Sequence, residues 1–247
     1  MRAVPIKTKK IRARTGSIFL ILDNYVQKMP EGSVLAVTSK IISLCEGRVV
    51  GARGTNKDKL VEDEAEFFLP RKLSRYKIMF AIKNGILAPS AGIDESNTDG
   101  YYVLWPKDPQ KTANEIRKYL AGRFKLKRVG VIITDSKTTP LRWGTSGVSI
   151  AHSGFEALKD YIGTPDIFGR KLKMTKANII DALAASAVLV MGEGKEQTPL
   201  AIIEDLPFVK FRSSNPSKSE LLDLKISLDD DLYAPMLKAV KWRKGKA

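Results

Sequence analysis

A chain of 247 residues that is 43% hydrophobic and 28% charged can bury a substantial core, which excludes a largely disordered protein. Its single cysteine, Cys45, excludes an internal disulfide framework and any cysteine-rich zinc site. The formal net charge of +15 favours anionic partners.

The basic residues are scattered, with small clusters only at 7–14, 123–128 and 241–246. No RNP, KH or zinc-finger pattern accompanies them, so a merely solvated basic surface or small anionic substrates fit better than nucleic acid. The longest nearly apolar stretch, 182–191, is too short to cross a bilayer at a helical rise of about 1.5 Å per residue. The first residues carry no apolar signal region, and a soluble, cytoplasmic chain with no membrane partner is expected.

In chain order, residues 3–7 read as a short strand. Ser17 is placed to cap a helix to about Lys28, with Ile18, Leu20, Ile21, Tyr25 and Val26 as its apolar positions. Pro30-Glu-Gly32 turns the chain into a β-rich run at 34–38. Residues 59–69 suit an acidic-faced helix stopped by Pro70, and 78–82 and 101–105 read as strands. Between those strands, 87–97 is too polar and turn-rich to be a core element.

Pro109 opens a helix to Phe124 with Ile116, Leu120 and Phe124 on one stripe. A short apolar strand at 129–134 ends at Asp135. Thr175 is expected to cap a long, alanine-rich helix over 176–191 that runs into Gly192-Glu-Gly194, and 199–203 is a further strand. Residues 213–217 form a loop. Helices and strands are mixed without βαβ alternation, so an α+β class is expected in place of a Rossmann-type fold. Residues 1–212 read as one catalytic domain, and 213–247 as a C-terminal extension packed on that core with a basic tail.

Three acidic residues end elements beside glycine or small polar neighbours: Asp94, Asp135 and Glu193. Carboxylates so placed can converge on one cleft, which is what hard divalent cations require. Turn and cap duty explains each one equally well alone, since no compact metal motif links them.

Longer strings carry more information. Val37-Thr-Ser-Lys-Ile-Ile-Ser with Glu46-Gly-Arg48 is followed by Ala91-Gly-Ile-Asp-Glu-Ser-Asn97 and Gly130-Val-Ile-Ile-Thr-Asp-Ser136. Then come Arg142-Trp-Gly144 with Gly147, Pro165-Asp-Ile-Phe-Gly-Arg170, and Asp181-Ala-Leu-Ala-Ala with Val190-Met-Gly-Glu193. Together, from about Pro5 to about Phe211, these closely resemble the coenzyme F420 γ-glutamyl ligase family. The altered loops leave room for a folate-type glutamate ligase.

That resemblance implies a homodimer of mixed α/β subunits with a largely antiparallel central sheet. It implies two divalent cations, Mn2+ or Mg2+, with Asp94, Asp135, Ser136 and Glu193 as ligands. GTP is the implied co-substrate, with Lys40, Ser136, Gly144, Gly147 and Arg170 on the nucleotide side and Asp94, Asp135 and Arg142 as catalytic residues. The implied reaction joins L-glutamate to an anionic acceptor, an F420 precursor or a folate-like carboxylate, through an acyl phosphate. Arginine suits such ligands because its planar fork binds phosphate and carboxylate bidentately.

The sequence departs from the family pattern at Lys137-Thr-Thr-Pro140 and at Ser149-Ile-Ala-His152. His152, the only histidine, is a candidate base or a structural residue. A Ser136–His152 hydrolase lacks the Gly-x-Ser-x-Gly elbow. Gly192-Glu-Gly-Lys195 fails the Walker spacing, and Cys45 reads as a small core residue. The competing function is a catalytically silent protein of the same fold that binds nucleotide or nucleic acid.

Overall fold

The computed structural model describes residues 1–247. Its elements begin with β1 (Arg2–Ile6), α1 (Ile18–Tyr25), β2 (Ser33–Thr38), α2 (Ser39–Glu46), β3 (Val49–Gly51) and α3 (Lys57–Glu64). They continue with β4 (Phe67–Phe68), β5 (Ala81–Lys83), β6 (Ile86–Leu87), β7 (Tyr101–Val103), α4 (Pro109–Phe124), β8 (Val129–Thr138) and β9 (Thr145–Ser153). The last are β10 (Leu158–Asp160), β11 (Lys176–Asn178), α5 (Ile179–Met191), β12 (Leu200–Glu204), α6 (Lys218–Asp223), α7 (Ala234–Leu237) and β13 (Arg243–Lys244). The chain is thus mixed α/β with mostly antiparallel sheets. No helix is long and apolar enough to cross a membrane.

Two compact units divide these elements, and each draws on separated stretches of chain. The first comprises Met1–Lys9, Phe19–Thr38 and Asp108–Leu224. Its five-stranded sheet has the order β1-β12-β2-β8-β9, and only β2 and β8 run parallel. Side chains alternate between faces along a strand, so Val34, Ala36 and Ile132 share one face. They meet Leu183, Ala184 and Ala187 of α5, whose alanines let helix and sheet approach closely. The helix α4 packs on β8 and β9 with Ala113, Ile116 and Leu120 buried. Asp108 caps α4 by accepting the Lys111 N–H, and Pro109, which has no N–H to satisfy, follows it.

The second unit comprises Lys10–Ile18, Ser39–Lys107 and Lys225–Ala247. A four-stranded antiparallel sheet, β13-β4-β5-β6, and a β3-β7 ribbon surround a core of Val61, Ala65, Phe68, Met79, Ala81 and Leu104. Glu64 is held from two sides, by the Arg48 guanidinium at 2.8 Å and the Lys83 ammonium at 2.5 Å. Burial pushes its carboxyl upward, but the two cations outweigh burial and the pKa lies below the ordinary value.

The main departures from the sequence expectations have local causes. The expected 59–69 helix is α3 over Lys57–Glu64, because Asn56 accepts the Asp58 and Lys59 N–H groups and starts it earlier. Its expected end, Phe67–Phe68, is strand, drawn into pairing with β5. Thr175 does not cap α5. Residues Lys176–Asn178 pair with β10, and Asn178 is the cap. The segment 78–80 is not strand, pairing beginning only at Ala81.

Candidate active-site residues

In the first unit the site grows from the end of β8. Val129 to Thr134 are all buried, and burial gives way at Asp135 where the strand runs past the core. The Ser136 N–H donates to Asp135 Oδ1 at 2.8 Å, and the Ser136 hydroxyl donates to Glu193 Oε1 at 2.7 Å. Glu193 follows Gly192, which ends α5 at φ +77°, a conformation that favours glycine. The part of β8 beyond its buried stretch and the residue after the end of α5 therefore bring together the Ser136 hydroxyl and the Glu193 carboxylate, with the Asp135 carboxylate on the adjoining residue. The strand does not end at Asp135 as expected but runs on to Thr138.

Gly147 pairs with Ser136 across the β8–β9 ladder. A Cβ there would lie 2.3 Å from the Ala184 carbonyl oxygen of α5, so only glycine lets the hairpin lie this close to the helix. The bare edge of Gly147 thus faces α5.

These oxygen donors match the preference of hard cations. No cluster of three or more His, Cys, Asp or Glu side chains is arranged to hold a metal ion. Two carboxylates and a hydroxyl still suit Mg2+, which is commonly held by one or two carboxylates and completed by substrate phosphates and water.

Asp94 and Lys40 meet in the second unit. The Asp94 backbone is fixed by a two-bond bridge to Val103, 2.9 Å and 2.8 Å. Its Oδ1 accepts the Ser96 N–H at 2.8 Å and the Ser96 hydroxyl at 2.9 Å, and its Oδ2 lies 2.6 Å from Lys40 Nζ. Burial raises the Asp94 pKa, but Lys40 and Ser96 outweigh it and hold the carboxyl below its ordinary value. The approach to Asp94 is strained: Ser90 and Ala91 both adopt left-handed backbone at φ +54° and +53°.

Arg142, Gly144 and Arg170 sit on exposed turns of the first unit. The Arg142 N–H closes the turn onto the Thr139 carbonyl at 3.3 Å, and Gly144 has φ +96°. Arg170 closes a loop with Asp166, whose backbone N–H donates to the Arg170 carbonyl at 2.8 Å. Neither guanidinium forms an ion pair within this chain, which leaves both available to an anion.

His152 is not a loop residue. It lies on β9, 2% exposed, with its ring edge-on to Phe155 at 5.6 Å. Burial pushes its pKa down to about 4, so the imidazole is neutral and shielded from substrate at physiological pH. The departure at 149–152 is therefore mostly a change of buried strand, and only 137–140 varies an exposed segment. Cys45 is half-buried, and burial raises its thiol to about 11, which disfavours a nucleophilic role.

One further residue, Asp181, heads the Asp181-Ala-Leu-Ala-Ala string in the first turn of the alanine-rich helix but receives no role from the sequence reading. Its carboxylate binds the β9 backbone and lies beside Lys137.

The ordered motifs agree with the sequences of known proteins. The model of the F420-0:Gamma-glutamyl ligase family matches residues 5–205. A Coenzyme F420:L-glutamate ligase of Methanopyrus kandleri is 33% identical over 237 residues, covering 89% of this chain and 92% of that protein. The protein of the same description from Methanocaldococcus jannaschii is 36% identical over 197 residues, 72% of this chain and 78% of its own. One from Methanococcus maripaludis strain C6 reaches 46% over 130 residues, 53% of this chain and 52% of its own. This chain belongs to the F420-0:γ-glutamyl ligase family.

Proposed function

We propose that the protein is a nucleoside-triphosphate-dependent ligase that joins the amino group of L-glutamate to a carboxylate of an F420 precursor or a folate-like acceptor. The observation that carries this reading is the Asp135–Ser136–Glu193 cluster, set at the end of β8 in a chain of this family. Its relatives bear the name Coenzyme F420:L-glutamate ligase.

An acceptor carboxylate and an amine do not condense at neutral pH without activation. In the proposed sequence an acceptor carboxylate oxygen attacks the γ-phosphorus of GTP, the bond to the bridging oxygen breaks, and GDP leaves. The glutamate α-amine then attacks the acyl carbon, inorganic phosphate departs with the bonding pair, and the amine proton passes to solvent. Mn2+ or Mg2+, when bound, would neutralise triphosphate charge. Asp135, Ser136 and Glu193 would supply oxygen ligands in the first unit, and Asp94 is a separate candidate ligand in the second. Exposed Arg142 and Arg170 would take phosphate or carboxylate oxygens. In this reading Lys40 balances Asp94 and positions it.

The catalytic machinery is assigned to residues 1–212 and the remainder to a supporting extension. We assign the protein to homodimers, because Leu141, Trp143, Ile167 and Phe168 stand almost wholly exposed on the turns that carry Arg142 and Arg170. Isolated surface apolar residues are ordinary, and it is the near-complete exposure of two large ones on each turn that we assign to contact with a second copy.

The test is incubation of the purified protein with GTP or ATP, Mn2+, L-glutamate and deazaflavin or folate acceptors, followed by mass analysis. A product one glutamyl unit heavier, with release of nucleoside diphosphate, supports the reading. No such product with any of these acceptors refutes it.

A further inference from the structure

The β8–β9 hairpin has one irregularity, and it lies directly before the proposed site. Ile133 pairs with Ala151, but Thr134 pairs with Ser149, so Ile150 is an extra residue bulged out of β9. A bulge shifts every pairing beyond it, and here those pairings are Asp135 with Val148, Ser136 with Gly147 and Lys137 with Ser146. What holds the bulge in place therefore sets where Asp135 and Ser136 stand.

Asp181 does so from three sides. Its Oδ1 accepts the Ser149 N–H at 2.9 Å, next to the bulged residue. Its Oδ2 accepts from the Asn178 side-chain amide at 3.0 Å, which fixes the carboxylate, and lies 3.7 Å from Lys137 Nζ. Asp181 is itself tied to the helix start, its N–H donating to Asn178 Oδ1 at 3.0 Å. The same helix then meets Gly147 at Ala184 and leads at its far end into Glu193, the partner of Ser136.

We propose that Asp181 is a positioning residue for the ligase site, locking the β9 bulge and so the placement of Asp135 and Ser136 against Glu193. This rests on the ligase reading above. The bond to Ser149 does most of the positioning. The Lys137 pair is long and about a third exposed, and such pairs contribute little.

The two contributions separate by substitution. Asp181→Asn keeps an oxygen for the Ser149 N–H but loses both the charge beside Lys137 and the acceptor for the Asn178 amide, whereas Asp181→Ala loses all three. Lys137→Met removes the pair alone. In the glutamate-addition assay, Asp181→Ala is expected to lower kcat/KM by roughly 10- to 100-fold, the usual effect of removing a residue that orients a site ligand. Asp181→Asn and Lys137→Met are expected to stay within about threefold of the parent, in line with an exposed pair.

Amide hydrogen exchange supplies a readout besides activity. Asp181→Ala should speed exchange at Ser149 and at Ser136, while Asp181→Asn leaves Ser136 protected. Parental kcat/KM in a folded Asp181→Ala variant, or faster exchange confined to Ser149, would overturn the proposal. A parent chain that makes no glutamylated product overturns the ligase reading, and the positioning role with it.

Discussion

At the residue scale, packing constrains two residues of the hairpin strand β9. The family resemblance puts Gly147 on the nucleotide side, and packing separately requires glycine there, since the Ala184 carbonyl lies 2.3 Å from where a Cβ would be. Gly147→Ala should therefore cost about 2 kcal/mol in urea unfolding, the usual penalty for overpacking against an atom that cannot move. His152 is neutral in the fold, and its pKa is pushed down to about 4 from an ordinary 6.5. The unfolded chain then binds the additional proton between these values, so stability falls as pH drops from about 6.5 to about 4 and changes no further from this source below that. The size is roughly 3 kcal/mol at most, since each tenfold change in proton affinity is worth about 1.4 kcal/mol. Denaturation curves at pH 7 and pH 4.5 should show a smaller loss for His152→Leu than for the parent. An equal loss in both would mean that the imidazole is solvated in the fold.

At the element scale, periodic segments are legible in the sequence and switches of structure are not. The start and end of α4 follow from Pro109 and a three-residue apolar stripe, and the structure agrees to the residue. The start of α5 does not, because Lys176–Asn178 has nothing in its own composition that demands a strand. Pairing with β10, an element distant in sequence, overrides helix propensity there and passes the cap from Thr175 to Asn178. Asn178→Ala should then lower stability by about 1 kcal/mol through the lost cap, or about 2–4 °C in Tm for a chain this long, while Thr175→Ala should be neutral. Strand β9 is hidden for a related reason. Its buried serines and histidine give no apolar alternation, and only the β8 partner shows that Ser149, His152 and Ser153 lie inside. Of the carboxylates read as element ends, Glu193 does follow the end of α5, but Asp135 lies inside β8, which pairs with β9 on to Thr138. That Ser136 donates to Glu193 is not legible, since the two are joined only by the docking of α5 on the sheet.

At the scale of the whole molecule, a minority of the scattered basic residues are engaged in local ion pairs, as at Glu64, Glu31, Asp58 and Glu156. The net charge of +15 remains as a field suited to triphosphates and polycarboxylates. The exposed apolar turns bear on assembly. Sedimentation at micromolar concentration should give a dimer for the parent and a monomer for Trp143→Ser combined with Phe168→Ser. A parent that sediments as a monomer would remove the assembly from the account.

The claim on which the rest depends is that the Asp135–Ser136–Glu193 cluster supports glutamate addition. Mass analysis of parent and Asp135→Asn reactions, with GTP, Mn2+, L-glutamate and a deazaflavin acceptor, measures it directly. The account predicts a monoglutamylated product from the parent and none from Asp135→Asn, with melting midpoints within about 3 °C of each other. A folded Asp135→Asn variant that forms product at the parent's rate would contradict it.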